Sequence, residues 1–129
     1  MSNDFTEKEL SKLDNKLAGA DNNVIAFFEN GLNAGRTISG PAFMRLIKTV
    51  ELTAPRNRLL KAAQKKLHGF EPPHFVELVK LVMSQKPNKD LVLNEYSRLI
   101  HDAKVAEELA HILTPEEKNI VKCGIVKLG

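Results

Sequence analysis

The sequence predicts an all-α fold: seven to eight short helices in antiparallel hairpins, arranged as an α-solenoid-like repeat or a compact bundle. Three observations predict it. Apolar residues recur at helical spacing in every apolar segment, and no segment alternates as a half-buried strand does. Prolines sit where helices begin, at Pro41, Pro55, Pro73, Pro87 and Pro115, where a missing N–H costs nothing. A stretch of the chain also repeats itself with a period of 32 residues.

Thr6 followed by Glu9 reads as a capping box, and Leu10, Leu13 and Leu17 then follow at helical spacing up to Gly19. Asp21 is positioned to cap a second helix carrying Val24, Ile25, Phe27 and Phe28, which ends near Gly31 or Gly35. Ser39-Gly40-Pro41 opens a third with Phe43, Leu46, Ile47 and Val50 on one face. Thr53-Ala54-Pro55 opens a fourth with Leu59, Leu60, Ala63 and Leu67, closed by Gly69. After Pro72-Pro73 a fifth carries Phe75, Leu78, Val79 and Val82. Pro87 opens a sixth with Leu91, Val92, Tyr96, Leu99 and Ile100, and residues 105–113 form a seventh. Thr114-Pro115-Glu116-Glu117 is a cap, a first-turn proline and two acids suited to the positive helix end; that eighth helix runs to about Lys127.

The repeat aligns Pro41, Phe43, Leu46, Ile47, Lys48 and Val50 with Pro73, Phe75, Leu78, Val79, Lys80 and Val82. Fourteen residues after the first proline of each comes the second, Pro55 and Pro87, and Leu59-Leu60 aligns with Leu91-Val92. The candidate repeat units are 41–72 and 73–104, each one helix hairpin, within a single helical domain spanning 1–129. A hairpin of two short helices cannot bury its apolar face alone, which is why such units stack. The pattern lacks the signature residues of tetratricopeptide and ankyrin repeats.

Charge is segregated. The net charge of +3 is distributed as −3 over residues 1–35, +7 over 36–68 and −1 over 69–129. In the middle segment Arg58, Lys61, Lys65 and His68 line up as one stripe at 100° per residue, opposite Leu59, Leu60, Ala63 and Leu67. Arg56 and Lys66 flank that stripe, Arg45 and Lys48 lie opposite the apolar face of the preceding helix, and Arg36 precedes both. The candidate binding residues are therefore Arg36, Arg45, Lys48, Arg56, Arg58, Lys61, Lys65 and Lys66; of these, Arg45, Lys48, Arg58, Lys61 and Lys65 are expected to be exposed, with the two helices that bear them presenting one continuous positive face. Their equivalents in the second unit include Glu77 for Arg45, Asp90 for Arg58, Leu93 for Lys61 and Ser97 for Lys65. The hairpin skeleton recurs without the charge, so the charge points to function rather than to stability.

The expected function is a non-catalytic interaction module or adaptor that presents this basic face to a protein with an acidic surface. Nucleic acid is the alternative partner. Against it stand the absence of aromatic interleaving and of any nucleic-acid signature. No nucleophile elbow, phosphate loop or cluster of Cys and His ligands occurs in the sequence, so neither an enzyme nor a bound cofactor or metal is expected. Glu108-Leu109-Ala110-His111 is half of a di-iron arrangement whose other half is missing; Glu107 and His111 read as exposed partners. The single Cys123, in an apolar run, is expected to be a small buried hydrophobe. One unpaired cysteine, with no signal peptide or membrane span, points to the reducing cytoplasm. Export that reads no cleavable signal stays compatible. The sequence does not specify an oligomeric state.

Overall fold

A computed structural model describes residues 3–126. Among them are eight short α-helices: α1 (Glu7–Leu10), α2 (Asn22–Asn33), α3 (Gly40–Thr49), α4 (Thr53–Ala63), α5 (Pro72–Val82), α6 (Lys86–Glu95), α7 (Lys104–Glu108) and α8 (Pro115–Val126). The fold is all-α. The chain divides between Gly69 and Phe70 into two compact units. None of the helices among the described residues is long and apolar enough to cross a membrane.

In the first unit the helix starts lie where capping chemistry puts them. The Asp21 carboxylate accepts from the amides of Asn23 and Val24, and the Ser39 hydroxyl from Ala42, satisfying amides that have no partner inside the helix. α2, α3 and α4 pack around Ile25, Phe28, Leu32, Phe43, Leu46, Ile47, Leu59 and Leu60, all buried. The N-terminal segment is not the continuous helix expected up to Gly19. α1 ends at Leu10, and the rest is two 3₁₀ turns, Ser11–Asp14 and Ala18–Ala20. Asn15 breaks it: its backbone is extended, and its side-chain carbonyl accepts from the Leu17 amide, a local turn that competes with helix. Leu10 and Leu13 stay in the core, but Leu17 leaves it.

A small sheet was not expected. β1 (Ile38–Ser39) runs parallel to β2 (Leu67–His68), and Asp4 bridges to Thr37 on the other side. Two-residue strands are too short to show alternation, so they leave no periodic signal. α4 ends at Ala63, where the Lys66 amide donates to the Ala63 carbonyl in a turn, so the helix stops short of Lys65 and His68.

The second unit begins with α5, whose N-terminal Glu71 and His74 form a reciprocal cap. α5 and α6 make a hairpin around Phe75, Leu78, Val79, Val82 and Val92. After α6 the chain tightens into a 3₁₀ turn, Tyr96–Leu99. α7 covers only Lys104–Glu108 of the helix expected over 105–113. The expected Thr114 cap is present, with Glu117 reaching back to the Thr114 amide at 3.0 Å. The expected end of α8 at Lys127 lies outside the described residues.

Helix bounds in the two hairpins lie 32 or 33 residues apart: α3 ends at Thr49 and α5 at Val82, and α4 begins at Thr53 and α6 at Lys86. α3 begins at Gly40 and α5 at Pro72; α4 ends at Ala63 and α6 at Glu95. Phe43 and Phe75 are both buried, as are Leu60 and Val92, whereas Leu59 is buried and Leu91 only half-buried. Arg56 and Asn88, also 32 residues apart, are both buried polar residues near the starts of α4 and α6.

Candidate interaction surface

Of the five residues expected to be exposed, Lys48, Arg58, Lys61 and Lys65 are exposed and Arg45 is half-buried; of the other three candidates, Arg36 and Lys66 are half-buried and Arg56 is buried. The acidic first segment folds back onto Arg36, Arg45 and Arg58. Arg36 lies with its guanidinium 4.6 Å above the Phe5 ring, pairs with Glu9 at 2.6 Å and donates to the carbonyls of Asn3 and Asp4. The hydrogen bond from Arg36, followed by the Thr6 amide, pulls the Glu9 pKa down to about 2. Glu9 in turn raises that of Arg36. Arg45 is shared between Asp14 at 2.7 Å and Glu7 at 3.0 Å, both of which raise its pKa. Arg58, exposed on α4, reaches Glu29 of α2 at 3.3 Å. These arginines are tied to α1, the turn after it, and α2.

Arg56 departs furthest from expectation. It is 3% exposed, and its guanidinium donates to the carbonyls of Ile47 at 3.0 Å and Val50 at 2.9 Å. Those carbonyls belong to the last turn of α3 and to the residue that caps it, where no intrahelical donor remains. Arg56 thus closes the C-terminus of α3, and burial lowers its pKa against a smaller opposing effect of Glu51. It is a core residue and offers nothing to a partner.

What remains exposed is Lys48 on α3, Lys61 on α4 and Lys65 in the turn after it, with Lys66 half-buried. No carboxylate among the described residues pairs with Lys61, Lys65 or Lys66. Part of their charge suits the negative end of α4. Lys61 and Lys65 nonetheless mark an open flank, and α6 shows what that flank can do. α4 and α6 share one buried line, Arg56 and Leu60 against Asn88 and Val92. Their second buried lines lie on opposite sides. In α4 it is Leu59 and Ala63, on a helix packed against α2. In α6 and the turn after it, the line is Leu93 and Ser97, on a helix packed against α8. Gly124 of α8 lies so close to Ser97 that a Cβ there would collide with the hydroxyl, and Glu117 pairs with Lys89 at 2.9 Å. Leu93 and Ser97 are the equivalents of Lys61 and Lys65. The second hairpin lacks those lysines because a helix of its own chain covers their positions.

A second feature of the first unit escaped the sequence pattern. Leu17 and Leu52 are 72% and 62% exposed, and both line an open groove of about 550 Å³ between residues 13–20 and 48–52. Gly19 is among its lining residues, pressed on the Thr49 carbonyl so closely that a Cβ would overlap the oxygen. The signal in the sequence was Asn15, a turn former between Leu13 and Leu17.

The other residues singled out by sequence are dispersed. Cys123 is exposed, not buried: α8 buries Val121 and Ile125, and two residues on from Val121 is roughly the opposite side of a helix. His68 meets Asp4 at 2.7 Å, and the His74 ring accepts from the Glu71 amide at 3.0 Å. Glu107, Glu108 and His111 are exposed. Neither a family model, nor a curated protein, nor a solved structure matches this chain.

Proposed function

We propose that this chain is a non-catalytic interaction module that binds an acidic segment of another protein along the open flank of α4. The observation that carries this reading is the pair Lys61 and Lys65, exposed and without carboxylate partners in a unit whose surface arginines all have them. The chain's own α8 supports an acidic helix as the ligand. On the corresponding flank of α6 it seats a glutamate-bearing first turn against Lys89. An ammonium group left in water loses little on binding and gains a charge-assisted hydrogen bond when a carboxylate arrives. The basic face is thereby reduced from eight residues to Lys61 and Lys65, with Lys66 at its edge.

The test is a comparison of K61E/K65E with the parent chain in pull-downs from the native host. A partner retained by the parent after nuclease treatment and at moderate salt, and lost by the variant, is the expected result. Lys80→Glu, on α5 of the other unit, is the control that keeps the partner. Capture that disappears with nuclease and falls steeply with salt would assign the flank to nucleic acid instead. Equal capture by parent and variant would leave the lysines as a solvated helix end and sink the proposal.

A further inference from the structure

We infer that the groove carrying Leu17 and Leu52 is a self-association site, where a second copy of this chain docks about a two-fold axis and each copy inserts Leu17 into the other's groove. This surface is separate from the α4 flank.

Isolated leucines on a protein surface are ordinary. Here both exposed large hydrophobic residues among the described residues line one groove of about 550 Å³. Their exposure is also built in by the backbone. The Asn15 side chain holds the Leu17 amide at 2.9 Å, and the Gly19 contact with Thr49 fixes the segment across the end of α3. Leu17 cannot turn inward without undoing that turn, so water is its alternative to a partner.

The rim says which partner. It carries Lys16 and Lys48 against Asp14 and Glu51, two charges of each sign. Asp14 is shared with Arg45, whereas no carboxylate among the described residues pairs with Lys16. A strongly acidic or strongly basic partner would meet like charge along half of this rim. A two-fold interface brings the same patch together from both sides and therefore demands self-complementarity, which a rim of balanced sign provides. A knob and a groove on one surface satisfy the same demand in shape. The patch is small beside the roughly 1,200–2,000 Å² of a stable interface, so the dimer is expected to be weak.

Sedimentation velocity of the full chain from about 10 µM to about 1 mM covers the concentrations at which weak self-association shows. The expected result is a concentration-dependent shift from monomer to dimer mass. L17D and L52D each raise the Kd by about tenfold or more, while circular dichroism stays that of the parent because both side chains are exposed. Lys16→Glu, which makes the rim mostly acidic, is expected to weaken the dimer too. K61E/K65E is expected to dimerise like the parent, so a failure of the α4 reading leaves this one standing, and the reverse. A chain that stays monomeric throughout, or a dimer that L17D and L52D leave unchanged, overturns the inference.

Discussion

Arg56 and Lys61 lie five residues apart on one helix, and their fates differ because of where the preceding helix ends. The carbonyls of Ile47 and Val50 at the end of α3 need donors, and the Arg56 fork supplies them from a buried position. Removing the fork strands those carbonyls without water. Arg56→Met is therefore expected to lower the unfolding free energy by about 2–3 kcal/mol, measured by urea denaturation, whereas K61E/K65E is expected to leave it within about 0.5 kcal/mol. Arg56→Lys does not rescue, because a point charge cannot span two carbonyls as the planar fork does. Equal, small effects for both variants would contradict the buried role. The sequence held this distinction in its spacing. Arg56 precedes Leu59 by three and Leu60 by four, on the apolar stripe, just as Asn88 precedes Leu91 and Val92. Read by residue type alone it joined the basic face, and only the orphaned carbonyls of the neighbouring helix explain why a charge belongs in that stripe.

At the scale of elements, what the sequence made legible is what local chemistry decides. The caps at Asp21, Ser39 and Thr114 and the first-turn prolines mark helix starts that the structure keeps. The N-terminal segment was misread because its leucine spacing is helical while Asn15 offers its own backbone a better local bond. That segment is held by ion pairs as well as by Phe5, Leu10 and Leu13, which gives it a pH signature. Glu9 has a folded pKa of about 2 against an ordinary value of 4.5. A depressed carboxylate pKa means stabilisation that is complete above the ordinary value and lost as pH falls through the folded one. The Arg36–Glu9 contribution is thus expected to fade between pH 4.5 and about 2, and Glu9→Gln to flatten that part of a Tm-against-pH curve. An unchanged acid limb in the variant would remove Glu9 from the account. The hairpins give a second check: Phe43→Ala and Phe75→Ala are each expected to cost about 3–5 kcal/mol, being equivalent, fully buried ring deletions.

The charge map of the whole molecule, −3, +7 and −1 along the chain, looked like one basic face flanked by indifferent ends. Folding converts part of it into internal neutralisation, because Arg36, Arg45 and Arg58 meet Glu9, Glu7, Asp14 and Glu29 of the acidic segment. Segregation along a sequence becomes a surface only where the opposite segment does not fold back, and no periodicity reports that. The pairing also makes the first unit self-contained in charge, as its Phe28, Phe43 and Leu59 core makes it self-contained in packing. The second unit has its own core around Phe75, Tyr96, Val105 and Val121 and its own half-buried Lys89–Glu117 pair. Fragments 1–69 and 70–129 are therefore each expected to fold alone, with helical circular dichroism and a cooperative melt. The two are expected to differ in salt. Fragment 1–69 carries the arginine–carboxylate pairs on its surface, so 1 M NaCl is expected to lower its Tm more than that of 70–129, whose core depends on few exposed ions. A fragment without helical signal would mean that its core is not sufficient by itself. Equal salt responses would mean that burial of Phe5, Leu10 and Leu13, rather than charge, holds the N-terminal segment down.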